Sequence, residues 1–166
     1  MAAYRRVNLG SGDNYREGWL NVDHRREGPG NRGGTVKVDV LADLNEPPWP
    51  FEDDAFEYAL LDNVMEHLDD HLATIQELHR ILEPGGVAEV AGPHWNAVSA
   101  WRDPTHTRPF DYRVFDHYLV DDLFEVESID VWKPGKAKYI PDRFALWLAD
   151  HIGHIVGGFR VKARVL

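Results

Sequence analysis

Val7-Asn8-Leu9-Gly10-Ser11-Gly12, with Asn21-Val22-Asp23 a short way downstream, is the stretch that decides the fold. A short apolar strand runs into a Gly-x-Gly turn, and a second strand ends in a carboxylate. That order puts backbone amides and one acidic side chain at the carboxyl edge of a parallel sheet, where α/β proteins bind nucleosides. Glycine at 10 and 12 lets the backbone come close to a ligand, with no Cβ between them. Asp23 has two acceptor oxygens, which suits the paired hydroxyls of a ribose. Surface turns also use Gly-x-Gly for their positive φ angles, so the reading rests on the strand before and the acid after.

Working outward, short runs rich in Val, Leu and aromatics predict strands at 6–9, 19–22, 36–40, 56–61 and 87–91. Leu68, Leu72, Ile75, Leu78 and Leu82 form a stripe at helical spacing and predict a helix over 68–82. Glu83-Pro84-Gly85-Gly86 reads as its stop signal. Two further strands are expected at 124–132 and 159–166, with a helix over 141–155 between them. Strands alternating with helices imply a doubly wound α/β sheet. One crossover is short: few residues separate Leu9 from Trp19, whereas a parallel crossover usually carries a full helix. The expectation is therefore that the first helix shrinks to a turn around Asp13 to Glu17, or that the two strands are arranged differently.

The 166 residues, 43% of them hydrophobic, suit one globular domain over 1–166. The net charge of −10 disfavours a broad basic face for nucleic acid, so a nucleic-acid partner is not expected. No stretch is apolar enough to span a bilayer, and Ala2-Ala3-Tyr4-Arg5-Arg6 does not resemble a signal peptide. The expectation is a cytoplasmic protein with no membrane partner. Zero cysteines exclude disulfides, thiolate metal sites and a cysteine nucleophile.

The motifs together resemble those of a small class I S-adenosylmethionine-dependent methyltransferase. Residues 7–12 resemble the family's first motif, and Asp23 its ribose-binding acid. Ala42-Asp43-Leu44 resembles the adenine-contacting segment. The run Trp49-Pro50-Phe51-Glu52-Asp53-Asp54-Ala55-Phe56-Glu57-Tyr58 resembles the family's Pro-Phe-Asp run before the fourth strand. Val64-Met65-Glu66-His67-Leu68 and Leu78-His79-Arg80-Ile81-Leu82-Glu83-Pro84-Gly85-Gly86 resemble two more. Gly18-Trp19-Leu20-Asn21-Val22-Asp23 is similar to a compact subgroup with a short first helix. Two positions depart from the pattern: Asn8 stands where many members carry an acid, and Glu57 replaces an aspartate.

The resemblance implies a Rossmann-like methyltransferase sheet, mostly parallel with an antiparallel last strand. It implies S-adenosylmethionine as cofactor, held by Asn8, Gly10, Ser11, Gly12, Asp23, Asp43, Leu44, Asn63 and His67. Asp39 is expected to point away from the adenine. A dinucleotide site fits less well, because it wants a third Gly or Ala where Tyr15 stands, and an acid further on than Asp23.

Methyl transfer asks the protein to align a nucleophile, which can supply about 7–11 kcal/mol, and sometimes to remove its proton. The candidate bases are Asp62, His67, His94, Asp103 and His106, with His106 preferred, His94 second and Asp62 third. Asp62 and Asn63 have an alternative role as caps of the turn that follows. Segment 93–118 fits no regular period and is expected to face the substrate, with Arg102 or Arg108 orienting an acceptor. An Arg102–Asp103 ion pair that only stiffens the loop is the alternative. His67 and His71 sit at i, i+4, yet no third ligand is evident, so no metal is expected. His71 is expected to be solvated, and Trp49, Trp132 and Trp147 to serve packing. The missing cysteine and the absence of an Asn/Asp-Pro-Pro-aromatic run leave O- or N-methylation of a small metabolite or sugar as the leading class. Methylation of a nucleotide or macromolecule is second, and a non-catalytic cofactor-binding subunit third. Oligomeric state is open, a homodimer included.

Overall fold

In the computed structural model, which describes residues 4–30, 33–116, 120 and 122–166, the chain forms a seven-stranded sheet. The strands are β1 (Arg6–Leu9), β2 (Leu20–Asp23), β3 (Val40–Leu41), β4 (Phe56–Asp62), β5 (Leu82–Pro93), β6 (Phe124–Trp132) and β7 (Gly158–Val165). Their order across the sheet is β3-β2-β1-β4-β5-β7-β6. All neighbouring pairs from β3 to β5 are parallel, and β7 alone runs antiparallel to both its neighbours. This is the expected mostly parallel α/β sheet with an antiparallel last strand.

Helix α1 (His71–Ile81) covers one face and buries Ile75, Leu78 and Ile81 against β4 and β5 residues such as Ala59, Leu61, Ala88 and Val90. Strand β5 is fastened to β7 by a buried acid. Glu89 accepts from Arg160 at 2.9 Å and from Lys162 at 3.3 Å, and Tyr58 donates its hydroxyl to the same carboxylate. Paired this way, the carboxylate tolerates its place in the sheet. No helix among the described residues is long and apolar enough to cross a membrane.

Several boundaries differ from the sequence expectation. The helix expected from 68 starts at His71, because Asp70 accepts the Ala73 N–H at 3.0 Å and caps it. Met65–His67 is a separate 3-10 turn. The Pro84-Gly85-Gly86 stop lies inside β5, where the β4–β5 register shifts. The strand expected at 36–40 is reduced to Val40–Leu41. Residues 35 and 36 pair back onto 28 and 29, which takes them out of the sheet. The helix expected over 141–155 is α3 (Asp142–Ala149); Asn96 reaches over to the Ala149 and Ile152 carbonyls at its end.

The short crossover is resolved without any helix. Residues 10–19 form turns only, so the helical turn expected around Asp13 does not form. Asn21 replaces it as an organiser. Its side chain accepts the Arg16 N–H at 2.8 Å and donates to the Arg16 and Trp19 carbonyls and to Asp39. Segment 93–118, whose last two residues lie outside the described set, contains α2 (Val98–Arg102) and a 3-10 turn at Tyr112–Asp116.

Arg80 ties the Trp49–Asp53 segment to α1. Its guanidinium donates to the Trp49 and Phe51 carbonyls, to Asp53 and to Glu77, and Glu77 in turn accepts the buried Trp49 N–H at 2.7 Å. Arg80→Ala leaves these acceptors stranded. It should lower stability by about 2 kcal/mol in urea unfolding, within the range for hydrogen bonds to charged groups. Arg5→Ala, which breaks only exposed pairs with Glu57 and Glu83, should leave the midpoint nearly unchanged.

Candidate active site

The glycine turn is held to the end of β2 by two hydrogen bonds. Ser11 N–H donates to the Val22 carbonyl at 2.8 Å, and Gly12 N–H donates to Asp23 Oδ2 at 2.8 Å. Asp23 is 4% exposed, and its Oδ1 accepts the Arg25 N–H at 2.9 Å. Oδ2 keeps a second lone pair for a ribose hydroxyl, while Oδ1 also lies 3.4 Å from His24 Nδ1 and 3.7 Å from Arg25 Nε. Gly10 has φ +66°, and a Cβ there would lie 2.5 Å from Val64 Cγ2. Gly12 has φ +51° and open space where a Cβ would point.

Gly10, Ser11, Gly12 and Asn8 line a cleft of about 330 Å³ that continues to Asp62 and Asn63 at the end of β4. Ser11 Oγ is buried there without a hydrogen-bond partner. An orphaned hydroxyl, a Cβ-free turn and an adjoining acid fit the adenosyl and methionine parts of S-adenosylmethionine. The volume falls in the usual range for ligand sites.

Asn8 contributes differently from a charged residue. Its Nδ2 donates to the Asn14 carbonyl at 2.9 Å and to Asn21 Oδ1 at 3.1 Å, so it braces the turn from beneath. Asp39 points away from the cleft, accepting from Asn21 N–H and from the Tyr15 hydroxyl. Burial works against its ionised form, yet these hydrogen bonds hold its carboxyl below the usual range. Asp43 accepts the Asn45 N–H at 2.9 Å, and the Leu44 carbonyl accepts from Trp49 Nε1. Neither Asp43 nor Leu44 is among the residues lining the cleft, and Asp23 lies just behind that lining, bonded to Gly12 and Arg25 of its wall.

Asn63 lies on the wall of two cavities. It lines the glycine-turn cleft and also a chamber of about 590 Å³ formed with Glu66, His67, Arg102, His106 and Trp132. A φ of +59° turns Asn63 out of the strand direction, and its Nδ2 donates to Asp62 Oδ1 at 2.8 Å. His67 Nδ1 lies 3.1 Å from the Thr105 carbonyl, and His106 Nδ1 lies 3.0 Å from the Ala100 carbonyl. The two imidazoles meet edge to face at 4.8 Å between centroids. Thus His67 and His106, far apart in sequence, face one another. Asp103 accepts the Thr105 N–H and hydroxyl, which keep its carboxyl below the usual range; it shapes the loop.

Other expected residues lie elsewhere. His94 is 1% exposed, accepts the Asn96 N–H on Nδ1 and packs against Phe159 and Tyr112. Burial lowers its pKa, and its place is the core beneath the loop. His71 is buried against Phe110 and not solvated, and burial lowers its pKa too. His67 and His71 occupy different helical segments, so their i, i+4 spacing brings no shared site. Arg108 faces a separate cavity with His71, which leaves Arg102 as the chamber's guanidinium. Trp49 is packed as expected, whereas Trp132 and Trp147 are about half exposed. Trp132 is a chamber wall, a role the sequence reading did not assign.

Glu66 was also missed. It is 1% exposed, one of its oxygens has no partner, and burial pushes its carboxyl up to about 7. The available signal was its place beside His67 directly after the fourth strand.

Sheet order, glycine turn and buried acid give the chain a Rossmann-like α/β fold of the methyltransferase type. Residues 22–90 match the family model of the methyltransferase domain. The chain superposes on an S-adenosylmethionine-dependent methyltransferase from Mesorhizobium loti with a TM-score of 0.63 and 16% identity, covering 99% of this chain and 93% of that one. For one from Archaeoglobus fulgidus the TM-score is 0.66 at 16% identity, covering 98% and 86%. Demethylmenaquinone methyltransferase of Staphylococcus saprophyticus is 45% identical over 38 residues, 23% of this chain and 16% of that protein. The chain thus aligns with under one fifth of that relative's length.

Asp23→Ala should weaken S-adenosylmethionine binding by about 1.5–3 kcal/mol in calorimetry, the range for hydrogen bonds to a charged group. Unchanged affinity would remove Asp23 from the ribose site.

Proposed function

We propose that this protein transfers the methyl group of S-adenosylmethionine to an O or N nucleophile of a small metabolite or sugar. The observation that carries the reading is that Asn63 lines two cavities, one beside the glycine turn and one lined by segment 93–118. The cofactor supplies a methyl group already activated on a sulfonium. The chain's residues hold and aim. Asn8, Gly10, Ser11, Gly12 and Asp23 surround the nucleoside end, while Asp62, Asn63 and His67 flank the passage toward the chamber. Asp43 and Leu44 join them at the adenine only if the segment after β3 closes onto the cleft.

An acceptor in the chamber meets Arg102, His106 and the Trp132 ring. With His106 Nδ1 committed to the Ala100 carbonyl, its Nε2 is the ring atom left to accept a proton. Asp62 and His94 are the alternatives named by the sequence. His94 is the less suited, since its Nδ1 already accepts from Asn96 N–H. The net charge of −10 favours a small acceptor over nucleic acid, and a cytoplasmic setting fits this reading.

His106→Ala should lower turnover about 10²–10⁴-fold, the usual contribution of proton transfer, and leave cofactor affinity nearly unchanged. Release of S-adenosylhomocysteine against a panel of hydroxyl and amine acceptors reads the first, and calorimetry the second. Loss of cofactor binding with turnover of the bound complex intact would make His106 a lid residue.

A further inference from the structure

Three metal-type donors converge on the chamber: a Glu66 oxygen and one nitrogen each from His67 and His106, all within 4.8 Å of one another. From this geometry we infer that Glu66, His67 and His106 form a binding site for a first-row divalent cation at the acceptor chamber. The proposal deepens the methyl-transfer reading, on which its catalytic purpose rests.

Glu66 gives the first argument. Its carboxylate is buried and Oε2 has no hydrogen-bond partner, a costly state for a polar group that a cation would relieve. The absence of a side chain at Gly92 leaves room for the carboxylate itself. A Cβ on Gly92 would lie 3.2 Å from that oxygen and 2.8 Å from the Phe110 ring.

The histidines give the second. Metal-bound imidazoles usually donate their other N–H to a carbonyl or carboxylate, which fixes the tautomer and aims the free lone pair. Both rings already do so. His67 Nδ1 donates to the Thr105 carbonyl and His106 Nδ1 to that of Ala100, leaving both Nε2 atoms as acceptors. The nearby charges of Asp62 and Asp103 act on the same spot and favour a cation. Ligand bonds of about 2.0–2.2 Å require the donors to draw closer than their present spacing. Tilting of the two half-buried rings provides that movement.

Donor type selects the metal. Two imidazoles and one carboxylate suit zinc, iron(II), cobalt, nickel or manganese over magnesium or calcium, which prefer all-oxygen shells. Three protein donors leave positions open to an oxygen of the acceptor, on the chamber wall shared with Asn63. A hydroxyl bound there loses its proton to water more readily, and the resulting oxyanion forms the new bond to the methyl carbon as the carbon–sulfur bond breaks. The loaded site therefore favours O-methylation, with His106 acting as ligand in place of proton acceptor.

The test uses full-length protein stripped with a chelator and titrated with Mn²⁺ and Zn²⁺ by calorimetry. One equivalent should bind, and the melting temperature should rise with added cation. Glu66→Gln and His106→Ala should each weaken binding at least about 100-fold, while His71→Ala, outside the cluster, should not. If Glu66→Gln fails to fold, His67→Ala replaces it. Absence of saturable one-to-one binding, or binding unaffected by these substitutions, overturns the site. Calorimetry with S-adenosylmethionine on the stripped protein separates the two ideas. Cofactor binding without cation binding removes only the metal, and cation binding without cofactor binding removes only the methyl-transfer reading.

Discussion

The hydrogen bond from the Gly12 N–H to the Asp23 carboxylate is the constraint on which the site depends. It joins the turn after β1 to the end of β2, with the Ser11–Val22 backbone bond beside it. In a sheet of this order a ligand sits over the carboxyl ends of the central strands, and the turn after β1 forms the floor. A buried carboxylate that holds two backbone amides has its orientation set before any ligand arrives. Preorganisation of this kind reduces the ordering cost of binding.

The chain meets this constraint with unusually little backbone. Where a crossover helix would normally buttress the turn, residues 10–19 rely on buried amides: Asn8 on Asn14 and Asn21, and Asn21 on Arg16, Trp19 and Asp39. The amide oxygen and nitrogen of the Asn21 side chain and the Asn8 amide nitrogen are hydrogen-bonded, and a well-connected buried polar network favours one geometry. Asn8 therefore follows from the missing helix. An acid at that position would lack the N–H groups that Asn8 uses to reach the Asn14 carbonyl and Asn21 Oδ1. Omitting the helix also places the burden of closing the site on segment 93–118, which brings His106 to His67, while Trp132 reaches the chamber wall from the end of β6.

Much of this was legible in the sequence because local chemistry and fold agree over residues 6–92. The Gly10/Gly12 turn, Asp23 and the alternation of strand and helix each carry their signal within a few positions. Strand β3 was overextended because the apolar run at 36–40 does not reveal that residues 35 and 36 pair with 28 and 29. The acceptor side was less legible for a related reason. Nothing in the spacing of His67 and His106 says that they meet; their approach depends on how segment 93–118 folds over the 3-10 turn at Met65–His67. His94 and His71 resemble His106 in sequence, and only tertiary burial separates the core histidines from the one facing the chamber. Glu66 was overlooked because a glutamate beside a histidine is ordinary until its burial is known.

The most direct measurement is a crystal structure of the protein grown with S-adenosylhomocysteine. The account predicts the ribose hydroxyls on Asp23, the amino-acid end along Gly10 to Gly12, and the sulfur beside Asn63, facing the chamber of Glu66, His67 and His106. A nucleoside bound elsewhere, or its sulfur turned away from that chamber, would contradict it.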